Sequence, residues 1–258
     1  MKQLVSWSWW KARPRLWFAY VILALTGILG FVFFRILNWT RVEGKEKFKA
    51  ARRKHGDRRN VIIVSNHVTM FDSFIIGIIA YFAELLFWPS IAPYHLAAKE
   101  NYFKYWFFRL ILGCLNTLPV APGRVDAKVM QQVITLLPKA NVHVFLGGRR
   151  SFEPLGSDPK HPIRGGLGYI VANAPNPKPI IIPVYIGGVE KIFGGKPGVA
   201  DKARWFPRIT GICRRPLVKF GDPVEYQDII DQLGNTKAAW EAISLRAAKR
   251  INALAPSA

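Results

Sequence analysis

Val61-Ile-Ile-Val-Ser-Asn-His-Val-Thr-Met-Phe-Asp-Ser73 joins two patterns that together decide the fold. The first five residues are a short, continuous, mostly β-branched apolar run. That composition suits a strand covered on both faces. From Ser73 to Trp88 the chain reads SFIIGIIAYFAELLFW, with one charge in sixteen residues, long enough for a helix and too long for a strand. Residues 66–72 are then the turn of a strand–helix unit.

The same alternation extends outward. Strands are expected at Tyr94–Ala98, Thr117–Val120, Val142–Leu146, Ile180–Ile186 and Leu217–Phe220. Helices are expected at Ser73–Phe87, Tyr102–Leu115, Asp126–Leu137, Gly166–Ala174 and Lys237–Leu254. Strands separated by helical stretches imply an α/β fold, a layered and largely parallel sheet with flanking helices. Gly187–Arg215, rich in Gly and Lys/Arg, reads as a long surface connection. Two apolar helical stretches, Ser73–Trp88 and Tyr102–Leu115, are either buried helices or surfaces that touch lipid or an acyl chain.

Ahead of this domain, Leu16–Phe34 is a run of 19 uncharged residues, LWFAYVILALTGILGFVFF. As a helix it spans about 28 Å, close to the hydrocarbon thickness of a bilayer. Trp7, Trp9, Trp10, Trp17 and Trp39 flank it, as interfacial anchors do. Four basic residues precede the run and eight lie in the 20 residues from Arg35 onward, which places the main body on the cytoplasmic face. Gly27 and Gly30 leave open a re-entrant hairpin instead of a spanning helix. The chain therefore divides into a membrane-anchoring segment, 1–40, and an α/β domain, 41–258.

The formal charge of +21 is uneven: residues 1–60 hold 14 Lys+Arg against 3 Asp+Glu. Such a surface favours polyanions, including nucleic acid, anionic lipid or an acidic carrier protein. Nucleic acid is disfavoured, because the charge clusters beside the apolar segment and no nucleic-acid-binding motif appears. Cys114 and Cys213 form no metal or disulfide framework and read as buried thiols in a reducing compartment.

The chemistry-bearing residues lie in the turn. His67 follows a strand at its carboxyl end, where open α/β sheets bind ligands. His67 and Asp72 are five residues apart, which on an ideal helix leaves them about 140° apart. A turn leading into a helix lets them meet. Asp72 could then fix the tautomer of His67, leaving Nε2 to take a proton from an alcohol. The plainer alternative makes Asp72 a helix cap and His67 an ordinary turn residue. A lone His-x4-Asp is a weak pattern. No Gly-x-Ser-x-Gly elbow is present, and His55, His95, His143 and His161 lack metal-ligand spacing, so no metal is expected.

What raises the pattern's weight is a series of ordered matches. Val42-Glu-Gly44 precedes VSNHVTMFDS, and HLAAKENYFK with Lys99 follows. Then come Leu118-Pro-Val-Ala-Pro-Gly-Arg124, Phe145-Leu-Gly-Gly-Arg-Arg-Ser151, Pro162-Ile-Arg-Gly-Gly166 and Ile182-Pro-Val-Tyr-Ile-Gly187. Over residues 42–225 the chain resembles the lysophospholipid and glycerol-phosphate acyltransferase family. The resemblance implies a membrane-bound enzyme moving an acyl chain from acyl-CoA or acyl carrier protein to lysophosphatidic acid, with no other cofactor. It implies His67 and Asp72 as the catalytic pair. It implies Asn66, Lys99, Arg124, Gly148, Arg149, Arg150 and Ser151 around the substrates. The family's third block normally reads Phe-Pro-Glu-Gly-Thr-Arg-Ser; here Leu146 replaces the Pro and Gly147 the Glu. That departure keeps open another lysophospholipid or an aminolipid as acceptor, or a membrane-binding relative without catalysis.

Overall fold

The sheet expected from the sequence forms, with Val61–Ser65 at its centre. In the computed structural model the described residues are 13–55, 60–69, 71–87, 91–99, 103, 106–121, 127–148, 150–160, 162–193 and 211–256. The strands are β1 (Arg41–Glu43), β2 (Val61–Ser65), β3 (Tyr94–Ala98), β4 (Thr117–Val120), β5 (Val142–Phe145), β6 (Ile180–Gly187) and β7 (Leu217–Phe220). They lie in the order β1-β7-β6-β2-β5-β3-β4. Neighbours run parallel except β6 and β7, which are antiparallel.

The helices are α1 (Arg13–Phe31), α2 (Lys45–His55), α3 (Asp72–Phe87), α4 (Trp106–Cys114), α5 (Ala127–Leu136), α6 (Gly166–Asn173), α7 (Glu190–Phe193), α8 (Gln227–Leu233) and α9 (Lys237–Asn252). A π-helix, Val32–Leu37, continues α1. Alternate residues of β2 serve the two faces, as strand geometry requires. Ile62 and Val64 join Val133, Leu137, Ile170 and Ile243 beneath α5, α6 and α9. Val61 and Ile63 join Phe48, Ile75, Ile79, Ile182 and Phe220 beneath α2 and α3. Each such side chain, fully buried, contributes about 1.5–3 kcal/mol, so a single charge at Ile63 would disrupt the sheet's centre.

β1 and α2 had no counterpart among the expected elements. α2 reads KEKFKAARRKH, whose buried stripe is little more than Phe48 and Arg52. The Arg52 guanidinium survives burial because both carboxylate oxygens of Glu84 accept from it at 3.0 Å and it stacks against Tyr81 and Phe48. Such a pair is strongly destabilised if either partner is lost.

α3 is a buried helix, with Ile75, Ile76, Ile78, Ile79, Tyr81 and Leu85 inside. α1 packs against α3 and α4, and Phe31 stacks on Phe82 with ring centres 3.8 Å apart. The helix runs unbroken through Gly27 and Gly30. At Gly30 a Cβ would fall 2.3 Å from Ile78 Cδ1, so this glycine serves close helix approach and not a break. Phe18–Leu37, 20 residues, is long and apolar enough to cross a membrane, and little of it is buried. Within α4, Trp106 is 76% exposed while Cys114 is buried.

Three expectations need correction or limits. Cys213 is exposed, because it sits on a surface segment at a left-handed φ of 60° and not in a core. The connection after β6 begins with an ordered piece, since Val189 and Ile192 of the α7 turn are fully buried. Residues 194–210, Tyr102, Lys104 and Tyr105 at the start of the expected helix Tyr102–Leu115, and Trp7, Trp9 and Trp10 lie outside the described residues.

Candidate active site

β2 delivers its carboxyl end to a tight turn, and α3 begins at Asp72. The Asp72 carboxylate is wholly buried. Its Oδ2 accepts the backbone N–H groups of Val68 and Thr69, the latter at 2.8 Å. Its Oδ1 accepts the Thr69 hydroxyl at 2.7 Å. An ionised carboxylate has no proton to give. The contact between His67 Nδ1 and Asp72 Oδ2, 3.0 Å, therefore has the ring as donor. This assignment from the network puts the proton on Nδ1 and leaves the Nε2 lone pair open. The two readings of Asp72 coincide: it organises the turn before the helix and it orients the imidazole.

Further contacts fix the histidine and the two residues before it. The ring stacks on Phe145 of β5 at 3.8 Å and 18°. The His67 carbonyl accepts the Ser151 N–H at 2.8 Å. The Asn66 side chain donates to the Ile186 carbonyl at 2.7 Å and accepts the Ile186 N–H at 2.9 Å. Ser65 Oγ donates to the Asn66 carbonyl at 2.8 Å and lies 2.9 Å from His143 Nε2. With the hydroxyl proton committed to Asn66, the His143 ring is the donor to Ser65.

His143 and His95 form a buried polar row beneath this turn, paired in register across β5 and β3. Burial pushes the His95 pKa down to about 4. Burial, with the neighbouring His95 and His67, holds His143 well below its usual value. Both rings are neutral at pH 7.

The residues read from the sequence are brought together in part. Gly148, Arg150 and Ser151 follow β5, beside the His67 turn; Gly148 takes a left-handed φ of 63°. Ser151 Oγ accepts the Glu153 N–H at 3.1 Å. Lys99, exposed at the carboxyl end of β3, lies two strands away from β2 along the same edge. Asn66 reaches β6 with both ends of its amide. Arg124 and Arg149 lie outside the described residues. A shallow, open depression lies beside His67, lined by Asn66, Gly147, Ser151 and the loop Glu153–Asp158. Sequence reasoning missed Ser65, His143, Phe145 and this loop. The one available signal was a histidine in the otherwise apolar strand VHVF.

A buried carboxylate, a histidine with a free ring nitrogen and a depression beside it can take a proton from an alcohol. The family model for acyltransferases matches residues 40–187. That is more than half of the chain. The protein belongs to the lysophospholipid and glycerol-phosphate acyltransferase family. A comparison with curated proteins finds no match. The matched region of this acyltransferase runs from the residue before β1 to the end of β6, so it contains the turn, the Ser151 latch and the Asn66–Ile186 clasp. The strand β7 and helices α8 and α9 lie beyond it and complete the sheet and its apolar face.

Proposed function

We propose that this acyltransferase moves an acyl chain from an acyl thioester, on CoA or acyl carrier protein, to the free hydroxyl of lysophosphatidic acid, making phosphatidic acid. The observation that carries the reading is the 3.0 Å contact from His67 Nδ1 to a buried carboxylate at the edge of an open depression. His67 Nε2 takes the acceptor's hydroxyl proton as the oxygen attacks the thioester carbonyl. The tetrahedral intermediate then collapses, the C–S bond breaks, and the proton passes from His67 to the leaving thiolate. Asp72 holds the imidazole throughout and stabilises the imidazolium. Arg124 and Arg150 bind the acceptor phosphate, with Arg149, Lys99 and the Gly148–Ser151 turn supporting the substrates.

The proposed division is a membrane anchor over 1–40 and a catalytic domain over 41–258. The domain sits on the cytoplasmic face, with lysophospholipid entering from the bilayer. Its supports are the exposed apolar surface of α1 and the basic excess that follows it. The acyl thioester is a co-substrate and no further cofactor is invoked.

A second reading, an acceptor bearing an amino group, draws on one observation. Glu153 and Asp158 line the depression while Gly147 stands where the family's third-block Glu would be. Carboxylates suit a cationic headgroup better than a lone phosphate dianion.

Incubating the detergent-purified protein with labelled acyl-CoA or acyl carrier protein and a panel of lysolipids tests both readings. Phosphatidic acid as the main product supports the first, an acylated aminolipid the second, and no acyl transfer to any acceptor overturns both.

A further inference from the structure

α1 and the π-helix after it present Leu25, Leu29, Val32 and Ile36 on one exposed side, with Leu29 69% exposed. Spacings of four, three and four residues keep these side chains in one stripe. Where the stripe ends, the chain is not free. Asn38 is fully buried, and its side chain donates to the Phe33 carbonyl at 3.0 Å. A segment nearly 180 residues later docks against it. Cys213 N–H donates to the Leu37 carbonyl at 3.1 Å, and Arg215 N–H to the Asn38 carbonyl at 2.9 Å. Arg214 N–H reaches Asn38 Oδ1 at 3.4 Å. The terminal carbonyls of an apolar helix, which would otherwise need water or a capping group, are thereby satisfied by a basic loop segment of the same protein.

The docking gathers an unusual set of exposed side chains. Trp39 is 52% exposed and held at a left-handed φ of 47°, with the Arg215 guanidinium 5.2 Å from its ring centre. Ile212 is 57% exposed. Arg35, Arg214 and Arg215 are exposed around them. The nearest carboxylate in sequence, Glu43, is already paired with Arg41 and Lys219.

We propose that Arg35, Trp39, Ile212, Arg214 and Arg215 form a collar that seats on the phosphate headgroups of anionic phospholipid where the apolar helix leaves the bilayer. The proposal rests on the reading of α1 as a membrane helix and extends it to a headgroup charge. A tryptophan and an isoleucine follow the lipid-facing stripe directly and occupy the headgroup layer, where amphipathic rings are favoured. The arginines meet negative charge there, each gaining from the surface potential of an anionic leaflet. An acidic carrier protein would satisfy the arginines alone and would leave the Trp39–Ile212 pair unexplained.

The test uses the full chain. Cys114→Ser leaves Cys213, in the collar, as the only thiol, and a nitroxide is attached there. The protein is placed in bilayers of phosphatidylcholine alone or with a third phosphatidylglycerol, and label depth is read from collisions with oxygen and with a water-soluble nickel chelate. The expected result is a headgroup-level label in the anionic bilayer. Arg214→Gln with Arg215→Gln should move the label to water and lower association with fluorescent phosphatidylglycerol by on the order of tenfold.

A label equally open to the chelate in both bilayers overturns the proposal, as does shielding by acyl carrier protein but not by lipid. A chain recovered away from the vesicles overturns it together with the membrane reading. A headgroup-level label on a protein that transfers no acyl group upholds the collar and removes only the proposed reaction.

Discussion

The backbone N–H of Ser151 donates to the carbonyl of His67 at 2.8 Å, so the turn after β5 is latched to the turn after β2. The latch depends on Gly148, whose left-handed φ of 63° reverses the chain three residues earlier. A Cβ at this position meets no atom within 4 Å, so a side chain there would not clash. What Gly148→Ala introduces is backbone strain of about 1–2 kcal/mol. The expected outcome is a modest loss of thermal stability with a clear drop in kcat for acyl transfer. A kcat unchanged alongside a lowered melting temperature would show that the latch does not set the site's geometry.

The His67–Asp72 pair makes a sharper prediction. His67→Ala should leave a folded protein with turnover lower by about 10²–10⁴-fold. Asp72→Asn should be comparably severe for a different reason. An amide cannot hold the Nδ1–H tautomer, so the basic nitrogen turns away from the depression. It also disturbs the Val68 and Thr69 donors, at about 1–3 kcal/mol of stability. Steady-state kinetics beside melting curves separates the two effects. Near-normal turnover in either variant would rule out the mechanism.

Ser65 and His143 act one layer further in. The His143 ring donates to Ser65, whose hydroxyl donates to the Asn66 carbonyl, the peptide that leads into His67. If His67 is the base, His143→Phe should lower kcat with little change in KM, because His143 is buried behind the turn that carries His67. His143→Gln places an amide donor at similar reach and should restore much of the rate. A structural role alone would move the melting temperature and leave the kcat-to-KM pattern untouched.

Much of this architecture is legible in the sequence because it follows from local pattern. Six strands are set by short, mostly apolar runs between turns, and the helices after β2, β4 and β5 by the helical stretches between those runs. β1 escapes detection because Arg41-Val-Glu43 is short, charged and on the sheet's edge. The reversed direction of β7 is invisible because nothing local encodes which way a returning strand runs. The His67–Asp72 contact could be suspected from spacing, since both lie within one turn. The Asn66 clasp could not: its partner, Ile186, is 120 residues away and offers only backbone. Asn66, expected beside the substrate, has its amide engaged with that strand.

The buried histidines predict a pH dependence of stability. His95 is depressed to about 4 in the folded protein, against an unfolded value of about 6.5. A depressed value means the folded state binds fewer protons below pH 6.5, so the stabilisation is complete above that pH and is lost as the pH falls toward 4. Denaturant unfolding in detergent should show stability declining across that window, at about 1.4 kcal/mol per pH unit for each proton. His95→Phe should flatten the decline. An unchanged slope would mean that other groups dominate acid unfolding.

The turn after β5, where Leu146 and Gly147 stand in the third block, bears on the proposed acceptor, and changes at Arg124, Arg150 and Gly147 test it. A phosphate monoester carries nearly two charges and is held best by guanidinium forks. If lysophosphatidic acid is the acceptor, Arg124→Ala and Arg150→Ala should each raise its KM about tenfold or more, and matter much less for an acceptor without phosphate. Gly147 lines the depression beside His67, so Gly147→Glu adds a carboxylate next to Glu153 and Asp158. Where the family's arrangement is merely incomplete, that Glu should preserve or improve turnover on the phosphate acceptor. Where the depression has been retuned to an amino headgroup, it should impair the native reaction by crowding and by misplacing charge. Product analysis of Gly147→Glu on matched phosphate and amino acceptors distinguishes these outcomes. Equal sensitivity of both acceptors to the arginine changes would assign those side chains to the donor or to the fold, and would leave the phosphatidic acid reading without its electrostatic basis.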